Sequence, residues 1–453
     1  MIMRREIRVG LLVTYCAIAG GAVGAQTAPV PKNPAPHNPA PAQSAMPGGA
    51  PLTIEDARRL ALQNHPHIRV AQSAAAAAND VTTQVRSAYY PNIYGNLTGV
   101  EADSGSRIGA GGLNNSIVFN RFATGVAAEQ LVTDLGRTKN LVASSRLAAQ
   151  AANETVNVSR ADVLLNVDRA YYGVLRAQAV LTVAQQTVKQ RETVSEQITT
   201  LAKNKLRSGL DVSFADVNLS QARLLLVQAQ NDLQSAHAVL AEALGNSQPQ
   251  RYQLAEPAEA AGALPAIQDA MTAANHDRPE LASQRLQVDS AQHFATAERD
   301  LILPSLSLAG VAGEIPFRQA GLPLSYSAIG FNVHIPIFNG KLFSARHAEA
   351  EDRAREEQAV LNEQQAQIVR DVQLAWLAAN TASQNVTLTA ELFAEANKAL
   401  DLAQARYDLG LGSIVELSQA QLNQAQAGIA QAGAKYDYAT RLAELEYQEG
   451  ALR

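Results

Sequence analysis

Apolar residues recur along this chain with two different periods. Val163, Val167, Ala170, Val174, Ala177, Leu181, Ala184 and Val188 alternate steps of four and three. Ile368, Val372, Ala375, Ala379, Ala382, Val386, Thr389 and Phe393 repeat that spacing, with 368 − 163 = 205. Each set is a heptad seam and predicts a very long helix, over about 138–206 and 341–408. At about 1.5 Å per residue each reaches on the order of 100 Å, more than a compact globular domain accommodates.

Elsewhere the period is two. In 327–338, Ile329, Phe331, Val333 and Ile335 alternate with Gly330, Asn332 and His334, and in 304–313 Leu306 and Leu308 alternate with Ser305 and Ser307. Residues 91–100 set Ile93 and Leu97 against Asn92, Asn96 and Thr98, with Tyr94 blurring the pattern, and 117–131 alternates least clearly. Such stretches predict strands with one apolar and one polar face. A soluble sheet and a membrane barrel both satisfy this periodicity. Strands of about ten residues fit a tilted bilayer crossing, and 101–116 reads as an exposed loop between two of them. Four strands do not close a barrel, so a spanning sheet requires further copies of the chain.

The two periods occur twice in the same order. Asp56, Ala57, Pro66 and Pro91 are matched by Asp269, Ala270, Pro279 and Pro304, each 213 positions later. Each half predicts a helix, two strands, a very long helix, a glycine turn and a helix. Thr53 with Asp56 marks the first helix start, and Pro91 and Pro304 close the first helix of each half. Gly209 and Gly410 are taken as equivalent turn glycines. Their separation, 410 − 209 = 201, implies four extra residues in the first half, as a coiled-coil stutter or a longer loop.

Composition adds compartment and excludes some functions. Arg4, Arg5 and Arg8 precede an apolar run from Val9, with Val23 and Ala25 before Gln26, as in a secretory leader over 1–25. Residues 26–51 are rich in Pro, Ala, Asn and Gln and read as an extended tether. Repeats are expected over 52–250 and 264–450, joined by a linker over 251–263. Cys16, the single cysteine, lies within the leader, which leaves the exported chain without disulfides or cysteine metal sites; its use as a lipid acceptor is the weaker reading. A net charge of −5 with no basic stripe argues against nucleic acid.

No catalytic motif, phosphate loop or metal-ligand spacing is present, so no enzyme activity and no cofactor is expected. Gly111 and Gly112 lack the strand-to-helix context of a phosphate site, His65 and His67 flank Pro66 at a solvated helix corner, and His334 stands alone on a polar strand face. Trp376 aligns with Tyr171 and reads as packing on a long helix.

The duplicated chain resembles the TolC-like outer-membrane efflux protein family. The resemblance runs from about Leu52 to Gly450 and is carried by 405–417 with its partner 206–217, by 168–175 and 373–379, and by the two proline corners near 66 and 279. It implies a mainly α fold with a small β part, in which long coiled-coil helices form a periplasmic tunnel and four strands per chain complete a twelve-stranded trimeric barrel in the outer membrane. It implies a homotrimer with a periplasmic adaptor and an inner-membrane pump as partners. On it, Gly209, Leu210, Gly410 and Leu411 are adaptor-docking tips, although a leucine there also suits a helix-cap contact.

The same resemblance makes Asp216, Glu416 and Tyr407 candidates for a pore constriction. The acids also read as partners in capping boxes over 213–216 and 413–416, and one side chain can do both. Some family members latch the tip through a tyrosine and an arginine. Tyr407 fits the tyrosine, but Gly412 stands at the arginine position. The competing reading is a soluble periplasmic coiled-coil scaffold without channel activity.

Overall fold

A computed structural model describes residues 51–101, 103, 119–246, 248, 251–257 and 264–452. The expected leader, most of the tether, Cys16, Gly111 and Gly112 lie outside the described residues.

Each half begins with a helix pair rather than the single helix expected from the sequence: α1 (Ile54–Asn64) and α2 (Pro66–Arg86), then α5 (Ile267–Asp277) and α6 (Pro279–Arg299). Pro66 and Pro279 each stand at the first position of the second member, where the missing N–H costs nothing. Thr53 caps α1 by accepting from the Asp56 amide at 3.2 Å. Short 3₁₀ turns at Ser87–Tyr89 and Asp300–Ile302 end both pairs ahead of the prolines at 91 and 304.

The strands β1 (Asn92–Val100), β2 (Arg121–Thr133), β3 (Ser305–Arg318) and β4 (Ser325–His334) form one antiparallel sheet in sequence order. Asn96 faces Gly125 and Leu308 faces Phe331, so the alternation read from sequence becomes two faces. One carries Ile93, Leu97, Val126, Ile329 and Phe331, and the other Asn92, Asn96, Ser307 and Asn332. The least regular stretch in sequence is nonetheless a long strand, β2, and sits inside the sheet. Both outer strands, β1 and β4, have one edge without a partner among the described residues.

Helices α3 (Arg137–Lys203) and α7 (Leu342–Asp408) both have 67 residues. Each is entered through two consecutive residues with positive φ, Leu135–Gly136 and Gly340–Lys341. That pair turns the chain abruptly from strand into helix. Helices α4 (Gly209–Ala243) and α8 (Ile414–Glu449) run back alongside. The upper parts of α3 and α7 pack with α2 and α6 in the order α2–α3–α6–α7, and the lower parts in the order α4–α3–α8–α7. The result is two stacked layers of helices, and no described helix is long and apolar enough to cross a membrane.

Where the layers meet, Leu52 forms a bridge with Leu254. The Tyr171 hydroxyl donates to the carbonyls of Leu52 at 2.9 Å and Ala255 at 2.7 Å, while the Trp376 indole donates to Pro265 at 2.8 Å. These two aromatics are more than packing. From equivalent helix positions they tie down the chain just ahead of the first helix of each half.

Beside Tyr171, Asp168 is fully buried and takes both oxygens to Arg58, at 2.8 and 2.6 Å. Burial raises the Asp168 pKa against the opposing pull of Arg58. Replacing Arg58 with Ala leaves that carboxylate unpaired and should cost about 3–5 kcal/mol in chemical denaturation at neutral pH. Without Arg58 burial acts unopposed and holds that carboxyl's folded pKa higher still, so the loss should shrink as pH falls and the variant takes up the proton above the ordinary carboxylate range.

Candidate functional site

The lower ends of the two hairpins, α3–α4 and α7–α8, meet and form the candidate site. Both turns have the same hydrogen-bonded closure. The Leu206 amide donates to Leu201 O at 2.9 Å and the Lys205 amide to Ala202 O at 2.9 Å; Leu411 donates to Arg406 O at 2.8 Å and Gly410 to Tyr407 O at 3.0 Å. Lys205 (φ 61°) and Gly410 (φ 72°) take the left-handed position that ends such a helix.

All four pairs differ by 205, the offset already seen in the heptad seams, so there is neither a stutter nor a longer loop. The expected equivalence of Gly209 with Gly410 is therefore corrected. Gly209 is the first residue of α4, and the counterpart of Gly410 is Lys205, a residue whose side chain gives no hint of a left-handed turn. By the same offset the counterpart of Leu411 is Leu206. Leu206, Leu210 and Leu411 are all largely exposed, at 68%, 65% and 70%.

The caps shift in the same way. The box expected over 213–216 lies instead at Ser208 and Asp211, which exchange side-chain and backbone bonds at 3.2 and 3.3 Å. Ser213 bonds within its own helix to Gly209 O at 3.2 Å. Asp216 is left free of capping and accepts from the Ser195 hydroxyl at 2.8 Å, which ties α3 to α4. In the other hairpin Ser413 does accept from the Glu416 amide, at 3.1 Å, while the Glu416 carboxylate turns to Arg406 at 3.2 Å.

The two hairpins are joined at Tyr407, which is 3% exposed. The Arg207 guanidinium stacks 4.1 Å over the ring and donates to the Tyr407 carbonyl. Beneath lie Ile198, Leu400, Ile414 and Leu417. A second tie runs from the Asn218 amide to the Ser418 hydroxyl at 2.8 Å. Burial raises the Tyr407 pKa, with the Asp211 charge adding and Arg207 opposing. The hydroxyl itself is buried with no partner, so the ring face and the backbone carbonyl make the contact.

Arg207 is the residue that sequence reasoning missed. It occupies the position 205 before Gly412, so the arginine absent from one repeat stands at the same place in the other. A constant 205 offset carried through the turn was the signal that would have found it.

Elsewhere the sequence candidates stay quiet. His65 caps α2 by accepting from the His67 amide at 3.2 Å, and burial lowers its pKa. Among the described residues no group of His, Cys, Asp and Glu is arranged to hold a metal ion. His334 pairs with Ser305 at the sheet's lower end.

The family model described as outer membrane efflux protein matches residues 57–246 and 271–449 of the chain. Outer membrane protein TolC of Escherichia coli is 22% identical over 410 residues, covering 86% of this chain and 80% of TolC. Protein CyaE of Bordetella pertussis is 27% identical over 388 residues, covering 82% and 78%. Among solved structures, CusC superposes with a TM-score of 0.77 at 19% identity, covering 88% of this chain and 92% of CusC. VceC of Vibrio cholerae superposes at 0.76 and 16%, covering 88% and 96%.

Arg207 and Tyr407 lead to opposite expectations. Arg207→Ala should release the clasp and speed amide exchange over 405–412 about tenfold, the equivalent of about 1.4 kcal/mol. Tyr407→Phe should leave exchange unchanged, since it removes only a hydroxyl that has no partner.

Proposed function

The chain belongs to the outer membrane efflux protein family, and on that premise we propose that it serves as the exit duct of a tripartite efflux or export system, closed at its helical tips. It is an outer-membrane protein with a long periplasmic helical part. The finer reading is a homotrimer whose three sheets join into one twelve-stranded barrel, fed by a periplasmic adaptor and an inner-membrane pump.

The observation that carries this reading is the pair of unfinished edges on both layers. Among the described residues, β1 and β4 each leave a row of backbone groups unpaired beside an apolar face. In lipid each unpaired group costs several kcal/mol. β4 of one copy laid against β1 of the next keeps the alternation antiparallel, and three copies of four strands give the twelve. The helices tell the same story. α7 and α4, at opposite edges of the lower layer, expose Leu388, Leu392 and Leu402 on one and Val217, Leu224 and Val227 on the other. Two different surfaces joined head to tail close a ring, which a self-complementary twofold contact does not.

Gating follows from the tips. Arg207 on Tyr407 and Asn218 on Ser418 hold the hairpins of each copy together, and Asp216 and Glu416 are the acids of a constriction repeated around the threefold axis. Leu210, Leu411 and Leu206 are the exposed apolar contacts for an adaptor, beside the turns at Lys205 and Gly410 and the start of α4 at Gly209. Opening is a two-state shift in which a partner binds the separated hairpins better than the closed ones. The energy for transport comes from the pump.

Detergent extraction of washed envelopes should recover the chain from the outer membrane at the native mass of three copies. Release into the soluble periplasmic fraction as one or two copies would instead favour a coiled-coil scaffold. In the assembled trimer, Leu411→Asp should abolish export while leaving insertion intact. Export at the parent level would remove the docking role of that turn.

A further inference from the structure

The barrel reading above leaves one row of the sheet unexplained. Across the four strands, Asn96 faces Gly125, Gly125 faces Gly313 and Gly313 faces Tyr326. Directly paired residues share a face. This row belongs to the polar face of Asn92, Ser307 and Asn332, which a barrel with its apolar side in lipid turns toward the lumen. Tyr326 is the second residue of β4, at the end of the sheet far from the helices. In the outer membrane that end is the exit.

Tyr326 does not project from the wall. Its ring lies across both glycines, with the hydroxyl donating to Thr124 O at 3.5 Å. A β-carbon at Gly313 would stand 2.5 Å from the hydroxyl oxygen and 2.6 Å from Cζ. One at Gly125 would overlap the hydroxyl and lie 3.1 Å from Cζ. Neither glycine has positive φ, so the backbone conformation does not call for glycine at either place. At Gly125 the ring hydroxyl is the nearest obstacle, with the Ala312 carbonyl at 2.8 Å; at Gly313 the Thr124 carbonyl is nearer than the ring, so the sheet backbone and the ring together call for glycine there.

We propose that Gly125 and Gly313 form a recess that stows Tyr326 flat against the lumenal wall, and that Tyr326 is thereby a size-determining residue of the exit. The proposal rests on the trimeric barrel. With three copies, three tyrosines ring one level of the lumen, and every ring turned out of its recess narrows the opening from one side. Stowed rings pass bulky cargo; displaced rings hold back large solutes and leave small ions less affected.

The test uses full-length trimers in planar bilayers, with graded polyethylene glycols added on the barrel side, so that polymer entry reads the exit and not the tips. Gly125→Ala should lose the largest polymers that the parent admits. Tyr326→Ala added to it should bring them back, and Tyr326→Phe alone should match the parent because the ring still lies flat.

Should Gly125→Ala fail to assemble, Tyr326→Cys combined with Cys16→Ser gives a second approach. The unlabelled variant should admit at least the parent's polymers, and a bulky maleimide on the thiol should exclude the largest. A parent-like cut-off for Gly125→Ala, a reduced cut-off that Tyr326→Ala leaves in place, or a labelled cysteine that changes nothing would each overturn the assignment. A parent chain that never forms a trimeric pore would count against the barrel, a separate failure.

Discussion

Alanine sets how this molecule is put together. Along α3, α4, α7 and α8 the buried positions are filled again and again by the smallest side chain with a β-carbon, among them Ala170, Ala184, Ala222, Ala379 and Ala403. Small residues at a heptad seam bring helix axes close and keep them close for many turns. They bury little area apiece, so no thick core can form. Larger residues gather at a few fixed points, around Tyr171 between the layers, around Tyr407 at the tips, and where Leu281 meets Leu361 and Ile368 in the upper layer. A wall one helix thick is the outcome, and a wall has edges.

Those edges explain why stability and assembly are hard to separate here. The helical layers and the sheet each stop at surfaces with unmet demands, apolar side chains in one case and backbone groups in the other. Polar ties within the chain are consequently placed at junctions. Asp168 with Arg58 sits where the layers meet, and Asp216 with Ser195 sits where a hairpin closes. The duplication gives each half the same parts, but the ties between hairpins are not symmetric. Arg207 reaches Tyr407, whereas the equivalent of Arg207 is Gly412 and offers nothing in return.

Much of this was legible in the sequence because periodicity survives duplication. The seams gave both long helices to within a few residues, and strict alternation in β4 gave its two faces. Three features were harder to see. β2 alternates Phe122 and Val126 with glycine and alanine, too weak a contrast for pattern reading, and its place in the sheet comes from neighbours on both sides. The break between α1 and α2 depends on proline at a first helical position, which looks the same as a corner within one helix. At the tips, glycine was the misleading signal. Left-handed backbone follows from the hydrogen bonds that close the helix, and Lys205 adopts it without the residue type that advertises it. Pairing Gly209 with Gly410 displaces the turn and its leucine by four positions and the capping box by five, and it hides Arg207.

The tie made by Trp376 gives the molecule a built-in reporter. It is the only tryptophan in the chain, and its indole N–H is held by the carbonyl of Pro265, just ahead of the second half's first helix. Tyr171 does the matching work in the first half, yet it emits weakly beside an indole. Intrinsic fluorescence therefore watches one strap of the two, and a shift in its emission marks the second half letting go of its helix while the first still holds.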